Sequence, residues 1–325
     1  MTEAIDRIGA ALARVRAAVG EVIVGQQAVV DEVLLCMLAG GHALLEGVPG
    51  TGKTLLVRAL AASLSLRFSR IQFTPDLLPA DVTGVRVATE DDRGRRVFEF
   101  VPGPIFGQLV LADEVNRAPP RTQSALLEAM QEHQVTLAGT RHPLDEPFTV
   151  LATQNPIEME GTYPLPEAQL DRFLLKIVVP RPDAETTQAI LAATTGEARA
   201  MPESVMTAEA LIEARGVCRG VLIATPLLAR VTRMLARLDP DDPAAHPRAK
   251  ERLAVGPGVR AGQAIVLAAK ARALMAGRGH VAREDLDAVA LPALRHRLIR
   301  NYEVGEFDPD ALVREALSSL PEDAA

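Results

Sequence analysis

Apolar residues recur at alternating three- and four-residue steps across residues 3–19, where Ile5, Ile8, Leu12, Val15 and Val19 share one face and Asp6, Arg7, Arg14 and Arg16 fall on others. The period predicts an amphipathic helix, and a polar face of mixed sign suits packing on a domain rather than on a membrane. Residues 21–26 break the pattern with β-branched side chains and a glycine, and 27–39 resume as a second helix. Short apolar or alternating runs at 42–46, 66–72, 108–114, 148–152 and 174–179 read as five strands. Between them, 55–62 is rich in helix formers, 122–132 reads as a helix with Ala125, Leu126, Ala129 and Met130 inward, and 167–173 is a short helical turn. Segments 116–120 and 158–166 read as loops, 135–147 as a small hairpin. Residues 73–104 are broken by Pro75, Pro79, Gly84, Gly94, Pro102 and Gly103, and read as a hairpin-like insertion whose strands, 85–87 and 97–101, flank a charged tip.

Strands alternating with helices imply an α/β domain over 1–182, built on a mainly parallel five-stranded sheet flanked by helices, with any ligand at the carboxyl ends of the strands. From 183 onward strand signals disappear. Helices are expected at 183–195, 207–219, 226–238, 258–276, 282–290 and 308–319, forming a smaller all-α domain over 183–325. The basic run 295–300 is expected on the solvated face of a helix.

Composition narrows the function. A length of 325 residues with 48% hydrophobic content suits about two globular domains, and a formal charge of −7 argues against general nucleic-acid binding. Cys36 and Cys218 form no CxxC pair and read as small buried hydrophobes, which fits a cytoplasmic protein. No apolar run approaches the length of a membrane span, no secretion signal opens the chain, and the six histidines form no metal-ligand cluster.

The sharpest chemical signal is Gly47-Val-Pro-Gly-Thr-Gly-Lys-Thr54, which fits GxxxxGK[ST] at every fixed position and sits between an expected strand and an expected helix. Glycines let successive backbone N–H groups converge on a phosphate, and the following helix adds the positive end of its dipole. Backbone from Gly47, Val48, Pro49, Gly50, Thr51 and Gly52 through Leu55 would cradle ATP, Lys53 would reach the β- and γ-phosphates, and the Thr54 hydroxyl would hold Mg²⁺. A second apolar strand ends in Asp113 and Glu114. Adjacent carboxylates are costly at a buried strand end, whereas beside Mg-ATP Asp113 can hold the hydrated metal and Glu114 can orient and deprotonate the attacking water. Asn155, at the tip of the neighbouring strand, can hydrogen-bond the γ-phosphate or that water. In the second domain, Arg260 lies in the first turn of the longest helix, where the dipole disfavours a cation by up to about 1 kcal/mol and an anionic ligand would relieve the conflict.

Residues 47–54, 111–130 and 152–173 resemble the MoxR family of AAA+ ATPases, including Leu111-Ala-Asp-Glu-Val-Asn-Arg-Ala-Pro-Pro120 and Glu160-Gly-Thr-Tyr-Pro-Leu-Pro-Glu-Ala-Gln-Leu-Asp-Arg-Phe173. The resemblance implies a P-loop AAA+ fold followed by a helical lid. It makes Asp113 and Glu114 the Walker B pair, Asn155 sensor 1, Arg260 sensor 2, and Arg172 an arginine finger reaching the next subunit's site. Val24 and Gly25 resemble the adenine-contacting segment, and the hairpins at 73–104 and 135–147 resemble those facing the ring pore or the client. At 256–261 the family's more usual Gly-Ala-Ser-Pro-Arg-Ala is Gly-Pro-Gly-Val-Arg-Ala, with Arg260 keeping its place.

The expected function is therefore a Mg-ATP hydrolysing homo-oligomeric ring, a hexamer by resemblance, that remodels or matures a protein client with a von Willebrand factor A-domain partner. ATP would draw the helical domain onto the phosphate through Arg260, and loss of the γ-phosphate would release it. The alternatives are the motor subunit of a metal-chelatase-like complex, an ATP-gated binding module with incidental hydrolysis, and, least favoured by the acidic balance, a DNA motor.

Overall fold

The structure is a computed structural model describing residues 2–155, 161–196, 200–303, 305 and 307–320. Residues 156–160, within the last motif stretches and the expected 158–166 loop, and 321–325, at the end of the expected second domain, lie outside the described residues. Helices α1 (Thr2–Val22) and α2 (Gln27–Ala39) precede strand β1 (Ala43–Glu46), helix α3 (Lys53–Ser63) and strand β2 (Phe68–Gln72). Helix α4 (Pro79–Thr83) leads to the hairpin β3 (Gly84–Glu90) and β4 (Arg96–Pro102), then to β5 (Leu109–Asp113) and α5 (Pro120–Glu132). A second hairpin, β6 (Gln134–Leu137) and β7 (Thr140–Pro143), is followed by β8 (Thr149–Gln154), α6 (Glu167–Leu170) and β9 (Leu175–Val178). The rest comprises α7 (Ala184–Thr194), α8 (Ala208–Gly220), α9 (Thr225–Leu238), α10 (Pro247–Arg252), β10 (Leu253–Val255), α11 (Val259–Met275), α12 (Arg283–Leu294), β11 (Ile299–Arg300) and α13 (Pro309–Ser318).

Five strands form one parallel sheet in the order β2-β5-β8-β1-β9. Strand alternation divides the core. Ala43, Leu45, Leu109, Leu111, Leu151 and Ile177 face one buried cluster, while Leu44, Val110, Ala112, Val150 and Ala152 face another that is closed by α5. The first cluster also takes in the apolar stripe of α1, nearly all of α2, and the buried faces of α8, α9, α11, α12 and α13. Residue 182 thus marks a change in secondary structure, while the apolar core is continuous across it.

Some local expectations change. Helix α4 interrupts the insertion, its first turn starting at Pro79 and capped by Asp81, which accepts the Leu78 N–H at 2.9 Å. Helix α10 and the antiparallel pair β10–β11 add short elements to the helical part. Helix α12 continues through Pro292 to Leu294 because Ala293 and Leu294 are buried in the core. The basic run 295–300 is not a solvated helical face. Arg295 pairs with Asp310, and Arg297, 8% exposed, is buried with His296 against the end of α6 and the start of β9.

Candidate active site

Parallel register brings the carboxyl ends of β2, β5, β8 and β1 into line: Gln72 lies opposite Asp113, and Glu46 opposite Gln154. The loop after β1 curls above this line, with Gly50 and Gly52 in left-handed conformations (φ 80° and 79°). No atom comes within 4 Å of a Cβ built at either position, so the backbone there faces open space that an approaching group can fill. Gly47 is constrained for another reason, since a Cβ would stand 2.8 Å from the Val179 carbonyl. The loop is braced from α2, as the Gln26 amide donates to the Thr51 carbonyl at 2.7 Å, and from within, as Thr51 Oγ1 donates to Val48 O at 3.0 Å.

A cleft of about 450 Å³ opens over the loop, lined by Gly47, Pro49, Gly50, Thr51, Gly52, Lys53, Thr54, Leu55, Arg70, Asp113, Glu114, Thr153, Gln154 and Asn155. A second cavity of about 220 Å³ shares Gly50, Thr51, Gly52 and Leu55 with it and is otherwise lined by Val22, Ile23, Val24, Gln26, Pro182, Ile190 and Thr194. The pair makes one elongated site with a polar end over the loop and an apolar end between the α1–α2 turn and α7. Gly25 (φ 75°) lets α7 approach, because a Cβ there would overlap Thr186 at 2.3 Å. In the loop, Lys53 Nζ donates to the carbonyls of Gly47 (2.8 Å) and Val48 (2.9 Å). Burial lowers the Lys53 ammonium pKa, against the opposing pull of Asp113 and Glu114.

The two acids are held by a compact polar network. Thr153 Oγ1 donates to Asp113 Oδ1 at 2.6 Å and accepts the Glu114 N–H at 2.8 Å. Asp113 Oδ2 accepts from Arg70 Nη2 (2.6 Å) and Nε (3.2 Å). Arg70 Nη2 also donates to Gln72 Oε1, whose amide donates to Glu114 Oε2 at 2.9 Å. Arg117 Nη1 reaches the same Glu114 oxygen at 2.9 Å. Glu114 itself is left-handed (φ 56°, ψ 49°), a conformation costing a non-glycine residue about 1–2 kcal/mol, so these contacts fix it where the open chain would not.

Other expected site residues lie elsewhere. Arg172 and Arg260 line a separate depression with Gly40, Gly41, His42, Asp171 and Arg297. Gly40 to His42 precede β1, whereas the phosphate-binding loop follows it, so this depression lies at the other end of the sheet. The expectation that Arg260 closes onto the phosphate of its own chain is corrected by that placement. Its conflict with the α11 dipole is relieved within the protein, because Arg260 pairs with the Asp171 carboxylate at 3.4 Å. Arg172 is turned back, Nη1 donating to Leu127 O at 2.8 Å.

Sequence reasoning missed Arg70, Gln72, Thr153 and Arg117. Arg70 and Gln72 stand two apart on β2 and so share a face, a signal available from the period alone, but nothing in the sequence pairs β2 with β5. Thr153 stood inside the strand tip already singled out for Asn155.

A P-loop after one inner strand of a parallel sheet, an acid-tipped inner strand two places along with β8 between them, and the helices that follow define an AAA+-type ATPase. Comparison agrees with this class: the model of the ATPase family associated with various cellular activities (AAA) matches residues 42–175, and that of the AAA lid domain matches 245–316. The chain is 39% identical to Chaperone MoxR1 of Mycobacterium tuberculosis over 93% of its length and 80% of that protein's. It is 32% identical to Protein MoxR of Paracoccus denitrificans over 95% of each chain. The crystal structure of a candidate ATPase from Cytophaga hutchinsonii superposes with a TM-score of 0.91 at 38% identity, covering 98% of this chain and 97% of that one. The chain belongs to the MoxR family of AAA+ ATPases, and its activity is hydrolysis of ATP. Among the described residues no helix is long and apolar enough to cross a membrane.

Proposed function

We propose that the protein is the ATPase of a chaperone-like ring whose hydrolysis is completed between neighbouring copies. The observation that carries this reading is the two-sidedness of the chain: Lys53, Thr54, Asp113, Glu114 and Asn155 line one cleft, while Arg172 and Arg260 stand together beyond the opposite end of β1. A strand of four residues spans roughly 13 Å, too far for either arginine to reach phosphates in its own cleft. In this reading they serve the next copy. An arginine supplied in trans is worth about 10³–10⁵ in rate, or roughly 4–7 kcal/mol, so an isolated copy is nearly silent and turnover reports assembly. The ring is a hexamer by family resemblance.

The triphosphate lies over Gly50–Thr54 and the base in the cavity beside Val24 and Gly25. Lys53 exchanges the Gly47 and Val48 carbonyls for phosphate oxygens, and Asn155 contacts the γ-phosphate or the attacking water. Glu114, at the tip of β5 in the same cleft, takes the proton from that water. The residues fit a magnesium ion: the Thr54 hydroxyl and the Asp113 carboxylate are hard oxygen donors lining one cleft, and Asp113 already holds a cationic side chain. Bound there with ATP, the ion would neutralise charge developing on the phosphates.

The client-facing surface of this reading is the β3–β4 hairpin, whose Val85, Val87, Val97, Phe98 and Val101 are all exposed. It is tied to the second hairpin by Phe100, stacked on His142 with ring centroids 3.9 Å apart. Because β7 runs on into β8 and Asn155, a change at the γ-phosphate has a short covalent path to that contact. By family resemblance the ring works with a von Willebrand factor A-domain protein, in the cytoplasm, to remodel or mature an enzyme. Steady-state ATP turnover by the assembled protein tests the reading: Glu114→Gln should retain nucleotide binding and lose turnover by at least about 100-fold, and undiminished turnover would refute it.

A further inference from the structure

Arg70 lines the cleft over the P-loop and reaches both of its acids, one directly and one through Gln72. It projects from β2 into the same cleft as Lys53 and Thr54, and its guanidinium takes the Asp113 oxygen left over by Thr153. Asp113 is 13% exposed, so its carboxylate has little water to fall back on, and a positive partner is needed whenever no metal is present. The same Nη2 that holds Asp113 holds Gln72 Oε1, and this orients the Gln72 amide so that its N–H reaches Glu114. One guanidinium therefore sits at the head of a chain running Asp113, Arg70, Gln72, Glu114, linking the metal-holding acid to the proton-accepting one.

We propose that Arg70 is a placeholder cation that the divalent metal must displace, and that its displacement unlatches Glu114. This rests on the assignment of the metal to Asp113 and Thr54. A guanidinium and a divalent ion held at one carboxylate repel each other, so metal at Asp113 and the Arg70–Asp113 bond compete. When Arg70 yields Asp113, Gln72 loses the donor that orients it, and the Glu114 carboxylate loses one of its two side-chain donors just when metal and nucleotide are both in place. Hydrolysis is thereby discouraged in a cleft that holds nucleotide without metal. Arg70 acts here as a positioning residue: it touches the acids, not the reacting atoms.

The test is divalent-metal affinity, which a merely structural arginine would not raise. Full-length Glu114→Gln protein, saturated with ATP and unable to turn it over, is titrated with Mn²⁺ and free Mn²⁺ is read by electron paramagnetic resonance. Removing a competing charge at contact distance, in a site half open to solvent, should tighten Mn²⁺ binding about ten-fold in Arg70→Ala, with Arg70→Lys between it and the parent. Asp113→Ala in the same background should weaken binding by at least ten-fold. If Asp113→Ala weakens binding while Arg70→Ala leaves it unchanged or weakens it, the placeholder role is overturned and Arg70 instead supports bound nucleotide. If Asp113→Ala has no effect, the metal assignment beneath the proposal is wrong.

Discussion

Thr153 and Asp113 are joined by a 2.6 Å hydrogen bond, and the same Thr153 hydroxyl accepts the backbone N–H of Glu114. A 1%-exposed threonine on β8 thus sets the position of both acids at the tip of β5, using its one proton for the carboxylate and a lone pair for the backbone. Thr153→Val keeps the shape and removes both bonds. We expect its kcat to fall by about 100-fold, the scale of a 1 Å misplacement at a reacting centre, with nucleotide KM changing much less. Thr153→Ser, which keeps the hydroxyl, should recover most of the loss. Equal kcat for the valine and serine variants in an ATPase assay would show that the hydroxyl does not position the acids.

Arg297 joins the helical part to the sheet. Its guanidinium donates to the Asp171 carboxylate at 2.7 Å and to the carbonyls of Asp171, Phe173 and Leu174, and burial lowers its pKa against the support of Asp171. Arg297→Ala strips donors from a buried set of acceptors, and urea denaturation should show a loss of about 3 kcal/mol. Arg297→Lys should recover little of it, since one ammonium cannot span those acceptors.

Two groups give the protein opposing responses to pH. Burial, assisted by Asp31 and opposed by Arg295, raises Glu32 from 4.5 to about 7. The fold therefore keeps a proton that the unfolded chain has lost, and this contribution to stability falls as pH rises from 4.5 to 7. Burial lowers His42 from 6.5 to about 4, its Nε2–H donating to Met130 O and its Nδ1 accepting the Val150 N–H. Here the unfolded chain takes the proton first, so stability is lost as pH falls from 6.5 to 4. Each amounts to about 3 kcal/mol over its full range, and the slopes oppose each other between pH 4.5 and 6.5. Melting temperatures across that window should rise with pH more steeply in Glu32→Gln than in the parent. A Glu32→Gln profile parallel to the parent's would contradict the assignment.

Asp285 is fully buried and receives Arg272, Arg278 and the Ala282 N–H. Burial alone would raise its pKa, but these donors, Arg278 foremost, lower it. Its contribution is therefore present above the ordinary aspartate range and lost as pH falls through it. Asp285→Ala should cost about 3 kcal/mol near neutral pH and progressively less as pH falls below the ordinary aspartate range, measured by a series of thermal melts.

Much of this molecule is legible in its sequence. The edges of α2 and the five sheet strands follow from hydrophobic period, and the cleft from two short motifs, because a P-loop and an acid-tipped strand leave few other chemistries open. What the sequence conceals is pairing across distance. Arg297 reads as one more solvated charge in a basic run, since nothing local announces that Asp171, 126 residues earlier, will meet it in the core. Arg70 and Gln72 look like ordinary polar positions on an edge strand until β2 is laid beside β5. Arg260 is the reverse case: its residue type and helix position were suggestive, but which end of the sheet it faces depends on how α11 packs on α2, and that is a tertiary fact.

The central claim is that each hydrolytic site draws on two copies of the chain. Lys53→Ala subunits lack a working cleft but present Arg172 and Arg260 to a neighbour, while Arg172→Ala subunits have an intact cleft and only Arg260 to give. Each alone should turn over ATP at least about 10²-fold more slowly than the parent. Mixed across a range of ratios, the two should regain activity with a maximum at intermediate composition, because mixed rings contain sites with an intact cleft facing an intact arginine. Activity that never exceeds the sum of the two separate variants at any ratio would contradict the account.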